Sequence, residues 1–235
     1  MSVNYQQNLA KVISSCDQHE YEKNRKATEI VKPTILCGLL SDLMTPVPCC
    51  FPLDLMHLIF LNLGKLLIPL WQGTIKCEAT DSLSSWEWAT LTGDLWQAHG
   101  QLVADMTPFF PSSFHRPPRN PVEKISSGYK AIEYFHYLFG LGPGFVFAVF
   151  PSKYWKNFYK LVRGIRIIIN QSIMGSELQE AHSKLVQFVK EFENLYYQLC
   201  VDHIHFYCPC IHTLLHTAPE VTRVGPGASA KRQTS

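Results

Sequence analysis

The sequence predicts a mainly α-helical protein, and three observations carry that expectation. Apolar residues recur at the spacing of a 3.6-residue helix, most clearly in Leu178, Leu185, Phe188, Val189, Phe192 and Leu195. No alternating apolar and polar run bounded by hairpin turns stands out, so strand signals are weak. Pro and Gly punctuate the chain at Pro33, Pro52, Pro108, Pro121 and Gly175, leaving helix-length segments between them.

The elements follow in order. Residues 5–31 read as a solvated helix of mixed charge, ended by Pro33. Residues 33–52 form a connector with Pro46, Pro48 and Pro52. Asp54 to Trp71 is the first core helix, with Pro69 placed to end it early, and Gly73 to Ser84 is a polar linker. Ser85 is placed to cap a helix from Trp86 to about Met106, its apolar face marked by Trp88, Leu91, Leu95, Leu102 and Val103. Thr107 to Pro121 is a Pro-rich loop, and a helix from about Gly128 to Leu141 is broken by Gly142-Pro143-Gly144. Ser152 caps a helix to about Ile173, a further helix runs from Ser176 to about Cys200, and a short one spans Pro209 to Thr217. The tail from Pro219 onward, rich in Gly, Ser, Lys and Arg, reads as disordered. The resulting domain division is 1–50, 51–217 and 218–235.

With 235 residues, 46% of them hydrophobic and 17% charged, the chain can bury a sizeable core and has few charges to spare. A net charge of +2 gives no whole-chain electrostatic case for nucleic acid. Eight Cys without regular spacing, behind a polar stretch from Met1 to Lys11, read as free thiols in a reducing compartment. No segment has the roughly 18 uninterrupted apolar residues of a membrane span. Leu53–Trp71 holds Asp54, His57, Asn62 and Lys65, and Phe139–Phe150 holds three Gly and Pro143, so both read as core and no membrane partner is expected.

Three constellations carry chemistry. Asp54 and His57 stand at i and i+3 on one helical face, ahead of an apolar run. They fit an acid–base pair or half of a metal site, and equally a helix cap with its partner. The second constellation is Cys208, Cys210, His212 and His216. The two His sit at i and i+4, ligand geometry on a helix, whereas the Cys spacing is CxC and not the CxxC of zinc knuckles. The bland alternative is a helix on the core with thiols acting as small apolar groups. The third is the aromatic run from Tyr129 to Tyr159 with Lys153, Lys156, Lys160, Arg163 and Arg166 interleaved, a pattern for base stacking and phosphate contact or for a core face with solvated lysines. No nucleotide loop, nucleophile elbow or fixed repeat is found, and no small-molecule substrate is indicated.

Several segments taken together resemble one family. They are Phe51-Pro52-Leu53-Asp54-Leu55-Met56-His57-Leu58, Leu70-Trp71-Gln72-Gly73-Thr74-Ile75-Lys76, Pro111-Ser112-Ser113-Phe114 with Arg116-Pro117-Pro118-Arg119-Asn120, Tyr154-Trp155-Lys156-Asn157-Phe158, Glu193-Asn194-Leu195-Tyr196-Tyr197-Gln198, and Ile211-His212-Thr213-Leu214-Leu215-His216. Their order and spacing, with the Gly38-Leu39 approach, resemble the transposases of fungal DNA transposons, in particular the Plavaka group allied to CACTA and Kyakuja–Dileera–Zisupton elements. The resemblance spans about residues 20–227.

That resemblance implies an RNase H-like catalytic core interrupted by a helical insertion, with three carboxylates holding two divalent metals, Mg or Mn, for strand cleavage. Asp54-x-x-His57 resembles the family's D-x-x-H signature. The first two acids are expected upstream of the segment matching residues 17–40, and the last in a Met-Glu-Arg segment beyond Gly225-Pro226. Neither lies in this sequence, where Gly227 to Ser235 follows instead. The chain therefore resembles the insertion domain alone, with the catalytic sheet largely absent. The expectation is a catalytically inactive transposase-derived chain without its own cofactor, acting if at all as a helical module on DNA or on another transposase copy. Its place would be intracellular, and nuclear if the resemblance holds. An unrelated soluble metal-binding protein built on Cys208, Cys210, His212 and His216 is the remaining alternative.

Overall fold

The described residues are mainly helical with no strand among them, in agreement with the mainly α class. The computed structural model describes residues 3–34, 37, 50–77, 80–114 and 116–225. The chain divides into two compact units, Met1–Pro52 and Leu53–Ser235.

In the first unit, the single helix expected over 5–31 is two helices, α1 (Val3–Ile13) and α2 (Gln18–Thr28). The break has a local cause. Ser14 and Ser15 hydroxyls donate back to the Lys11 carbonyl, and Asp17 accepts from the Glu20 amide at 2.8 Å as the N-cap of α2. Glu20 in turn accepts from the Cys16 amide. Helix α2 stops before Pro33, at Glu29, whose φ of 58° is left-handed. Most of the connector, including Pro46 and Pro48, lies outside the described residues, as do Gly38 and Leu39.

The second unit starts with a wide-turn π segment, Met56–Asn62, that runs into α3 (Leu63–Gln72). Pro69 does not end α3. It removes one donor, but Leu70 and Trp71 are fully buried, and that burial holds the last turn. The helix closes at Gly73, left-handed at φ 64°.

The helix expected from Trp86 begins only at Gly93, as α4 (Gly93–Asp105). Trp86 and Trp88 explain the delay. Residues two apart point to opposite sides of a helix, yet both indoles are buried and stack at 5.4 Å. A turn backbone lets both enter one core. The buried face of α4 is correspondingly His99, Gly100 and Val103, while Leu95 and Leu102 are exposed.

Short helices α5 (Pro121–Lys124) and α6 (Ala131–Tyr134) follow, then a second π segment, Phe135–Leu141, and α7 (Gly142–Phe145). Gly142-Pro143-Gly144 continues the helical path and does not break it, because Gly142 keeps helical angles and Pro143 sits in a first turn, where no intrahelical donor is needed.

Helices α8 (Ser152–Ile168) and α9 (Gly175–Phe192) form the main antiparallel pair, with α9 prolonged by a π segment, Glu193–Tyr197. Gly164 makes their close approach possible: a Cβ there would lie 2.8 Å from the Leu185 side chain. The face predicted for α9 is buried at Leu185, Phe188, Val189 and Phe192. Beyond a 3₁₀ stretch, Val201–Phe206, come α10 (Pro209–Thr213), a 3₁₀ turn Leu214–His216 and α11 (Thr217–Val224). The composition of residues 218–235 predicts a disordered tail. Residues up to Val224 are instead helical, with Ala218 and Val221 buried and Glu220 accepting from the Leu53 amide at 3.1 Å. Residues 226–235 of that tail lie outside the described residues.

One aromatic core joins the elements of the second unit. Trp71 meets Phe150 and Phe158 edge-on at 4.9 Å and its indole donates to the Tyr196 hydroxyl, while Trp88 packs on Tyr154, Tyr196 and Phe206.

Candidate functional site

Asp54 and His57 lie at the mouth of the Met56–Asn62 segment, where the helix has free amide groups to satisfy. The Asp54 carboxylate accepts from the His57 amide at 3.1 Å and stands 2.7 Å from His57 Nδ1. Both side chains are 57% exposed, so the pair is not buried and needs no catalytic reason for its charge. Desolvation pushes the Asp54 carboxyl up, but the His57 amide and ring, with the Met56 amide, outweigh it and hold it below the usual carboxylate range. This is a helix cap with its partner. A two-metal centre needs converging carboxylates. Asp54 has both oxygens engaged by His57, and among the described residues no three His, Cys, Asp or Glu side chains converge. The residues present do not fit such a centre.

The Cys/His constellation divides into two separate pairs. Cys208 and Cys210 place their sulfurs 2.9 Å apart, and His212 and His216 place their Nε2 atoms 3.2 Å apart on the exposed side of α10 and the turn after it. The i, i+4 spacing thus brings the two imidazoles together as expected, and among the described residues no third ligand stands beside either pair.

The basic and aromatic constellation sits on α8, and its members differ. Arg166 donates to the Phe139 and Gly140 carbonyls, which anchors the preceding π segment. Lys160 is bound by both oxygens of Glu191, at 2.5 and 2.7 Å. Arg166 is thus held by two backbone carbonyls, and Lys160, the least exposed of the paired cations at 23%, by both oxygens of one carboxylate. Lys153 pairs with Glu87, and Arg163 pairs side-on with Glu180 at 2.7 and 2.9 Å, both exposed. Lys156 is exposed and lines, with Lys153, Lys160, Glu191, Asn194 and Leu195, a shallow depression of about 280 Å³.

Most of the aromatics are core: Tyr129, Tyr134, Tyr137, Phe139, Phe150, Tyr154 and Phe158 are all buried. Three are not. Phe147 is 63% exposed and Tyr159 47%, and half-buried Trp155 lies between them, 5.0 Å from Phe147 and stacked 5.3 Å from Tyr159. The Trp155 indole donates to the Pro143 carbonyl at 2.9 Å, which fixes the ring. Trp155, Tyr159 and Arg163 follow at i, i+4 and i+8 along one line of α8.

Three buried polar arrangements lie outside the constellations the sequence points to. Glu133, fully buried, accepts from Arg119 Nε at 2.6 Å and Nη2 at 2.9 Å and from the Lys130 amide at 2.9 Å, with Arg116 at 3.7 Å. Desolvation pushes its carboxyl up, and Arg119 and the amides more than reverse that. This clamp ties the Arg116–Asn120 stretch to α6. His99 is buried beside the Tyr137 hydroxyl at 2.8 Å, and burial pushes its imidazole down to about 4. A third arrangement sets His203 Nε2 2.9 Å from Asp81 Oδ2, both buried, with the Trp86 indole donating to the same carboxylate.

Comparison with models of known families, with curated proteins and with solved structures finds no match to this chain. No helix among the described residues is long and apolar enough to cross a membrane.

Proposed function

We propose that this chain is a transposase-derived helical module that does not cleave DNA and that contacts single-stranded nucleic acid through the outer face of α8. The observation that carries the contact is the cluster of exposed Phe147 and Tyr159 around half-buried Trp155, with exposed Lys156 next to Trp155 in the chain. Bases stack on aromatic faces at about 1–3 kcal/mol each without sequence preference, and nearby cations take the phosphates. Lys156 is the first such cation. Lys153 and Arg163 can exchange Glu87 and Glu180 for phosphate at little cost, since exposed ion pairs contribute about 0–1 kcal/mol. Lys160 and Arg166 are left out of the contact because of their structural partners.

The transposase origin rests on the segments quoted above, and the lack of cleavage on the engagement of Asp54 as a cap. The test is incubation of the purified chain with labelled single-stranded and duplex DNA in Mg²⁺ or Mn²⁺. Intact DNA with a retarded single-strand band is expected. Metal-dependent cleavage that disappears in Asp54→Ala would overturn the non-catalytic reading, and equal failure to retard either DNA would overturn the contact.

A further inference from the structure

The Cys208-Pro209-Cys210 turn has a chemistry that neither the helical role of α10 nor the nucleic-acid reading uses. We propose that Cys208 and Cys210 form a redox-active dithiol that closes to an intrachain disulfide by exchange with low-molecular-weight disulfides of the glutathione type.

Three features of the site support this. The two sulfurs already stand 2.9 Å apart, with both thiols free. Pro209, at the first position of α10, has a fixed φ and so holds the two flanking residues in one turn geometry. The turn borders a shallow, open depression of about 420 Å³ lined by Asn62, Lys65, Leu66, Cys208, Pro209 and Cys210, so the sulfurs can be approached from solvent. The exposed Lys65 ammonium there suits the carboxylates of a peptide-like disulfide.

The two thiols have different roles. Cys208 is half-buried, and the adjacent Cys210 sulfur draws its thiol down in spite of desolvation. Cys210 is buried, the less accessible of the two, and its thiol is pushed up. Cys208 is therefore the attacking sulfur and Cys210 the resolving one. In the first step the Cys208 thiolate bonds to one sulfur of the small disulfide. The disulfide's S–S bond breaks, and its other half leaves as a thiolate that takes up a proton from water, replacing the one Cys208 lost. In the second step Cys210 gives up its proton and its sulfur attacks Cys208. The mixed disulfide breaks, and the second small thiolate leaves and takes that proton. Two protein thiols are oxidised to one disulfide, and one small disulfide is reduced to two thiols.

The experiment uses the full chain in buffers of stepped oxidised-to-reduced glutathione ratio, quenched by alkylation and mapped by peptide mass. The expected result is a Cys208–Cys210 peptide lighter by two hydrogens and unalkylated, formed at ratios where exposed Cys16 is still alkylated. In Cys210→Ser, glutathione should remain trapped on Cys208, and in Cys208→Ser, Cys210 should stay a thiol. Separate alkylation of Cys208 and Cys210 in the unaltered chain, at ratios that already glutathionylate Cys16, would overturn the proposal whether or not the variants fold.

Discussion

Replacing Glu133 should destabilise the chain more than any exposed ion-pair change, and the structure sets the size. Its carboxylate is fully buried and receives two hydrogen bonds from the Arg119 side chain, one from the Arg119 amide and one from the Lys130 amide. Removing one partner of a buried pair costs about 3–5 kcal/mol. Arg119 is 33% exposed and regains some water when released, which puts Glu133→Ala near the lower end, about 3 kcal/mol. For a chain of this length, each kcal/mol lowers Tm by roughly 2–4 °C, so a fall of about 6–12 °C is expected. Glu133→Gln keeps the shape and the Lys130 contact and should lose less. Thermal unfolding by circular dichroism, checked by urea midpoints, measures both. Because the Glu133 carboxyl is held below its unfolded value, its contribution is present above that value and fades as pH falls through the native one. A drop in Tm of less than about 2 °C for Glu133→Ala would refute the clamp.

His99 gives a second pH dependence. Its folded value near 4 lies below the ordinary 6.5, so the stability it contributes is present above 6.5 and is lost as pH falls toward 4, in total about 3 kcal/mol; urea titrations at stepped pH should show this acid limb flattened in His99→Gln. Gly164→Ala brings a methyl group within 2.8 Å of Leu185 and should cost about 1–3 kcal/mol by crowding the α8–α9 pair, with Gly164→Ala/Leu185→Ala recovering part of the loss in a double-mutant cycle. Gly73→Ala, at φ 64° and with Ala89 close by, should cost about 1 kcal/mol in the same unfolding assay.

The helical class and the α8–α9 pair were legible because both rest on periodicity, and periodicity survives in sequence. Helix starts were less legible. Trp86 and Trp88 look like the first turn of a helix, yet two indoles driven into one core impose a turn that propensity cannot foresee. The tail at 218–224 shows the opposite error, since Ala218 and Val221 carry a short helix that composition masks. Pairwise charge contacts were the least legible. Nothing in the spacing separates Arg166, which holds the Phe139 and Gly140 carbonyls, from Lys156, which faces solvent. Likewise Glu133 meets Arg119 only through the fold. The Asp54–His57 spacing did show the contact, because residues i and i+3 meet on one face of a helix.

The most direct measurement of the central claim is fluorescence anisotropy of labelled single-stranded DNA with the full chain, titrated at stepped salt. Tight binding to single strands over duplex is expected. The log–log salt slope should be about −1.4 to −2, the value for two to three phosphate contacts, and affinity should fall about tenfold or more in Trp155→Ala/Tyr159→Ala. Affinity unchanged in that variant, or no salt-dependent binding at all, would contradict the proposed α8 contact.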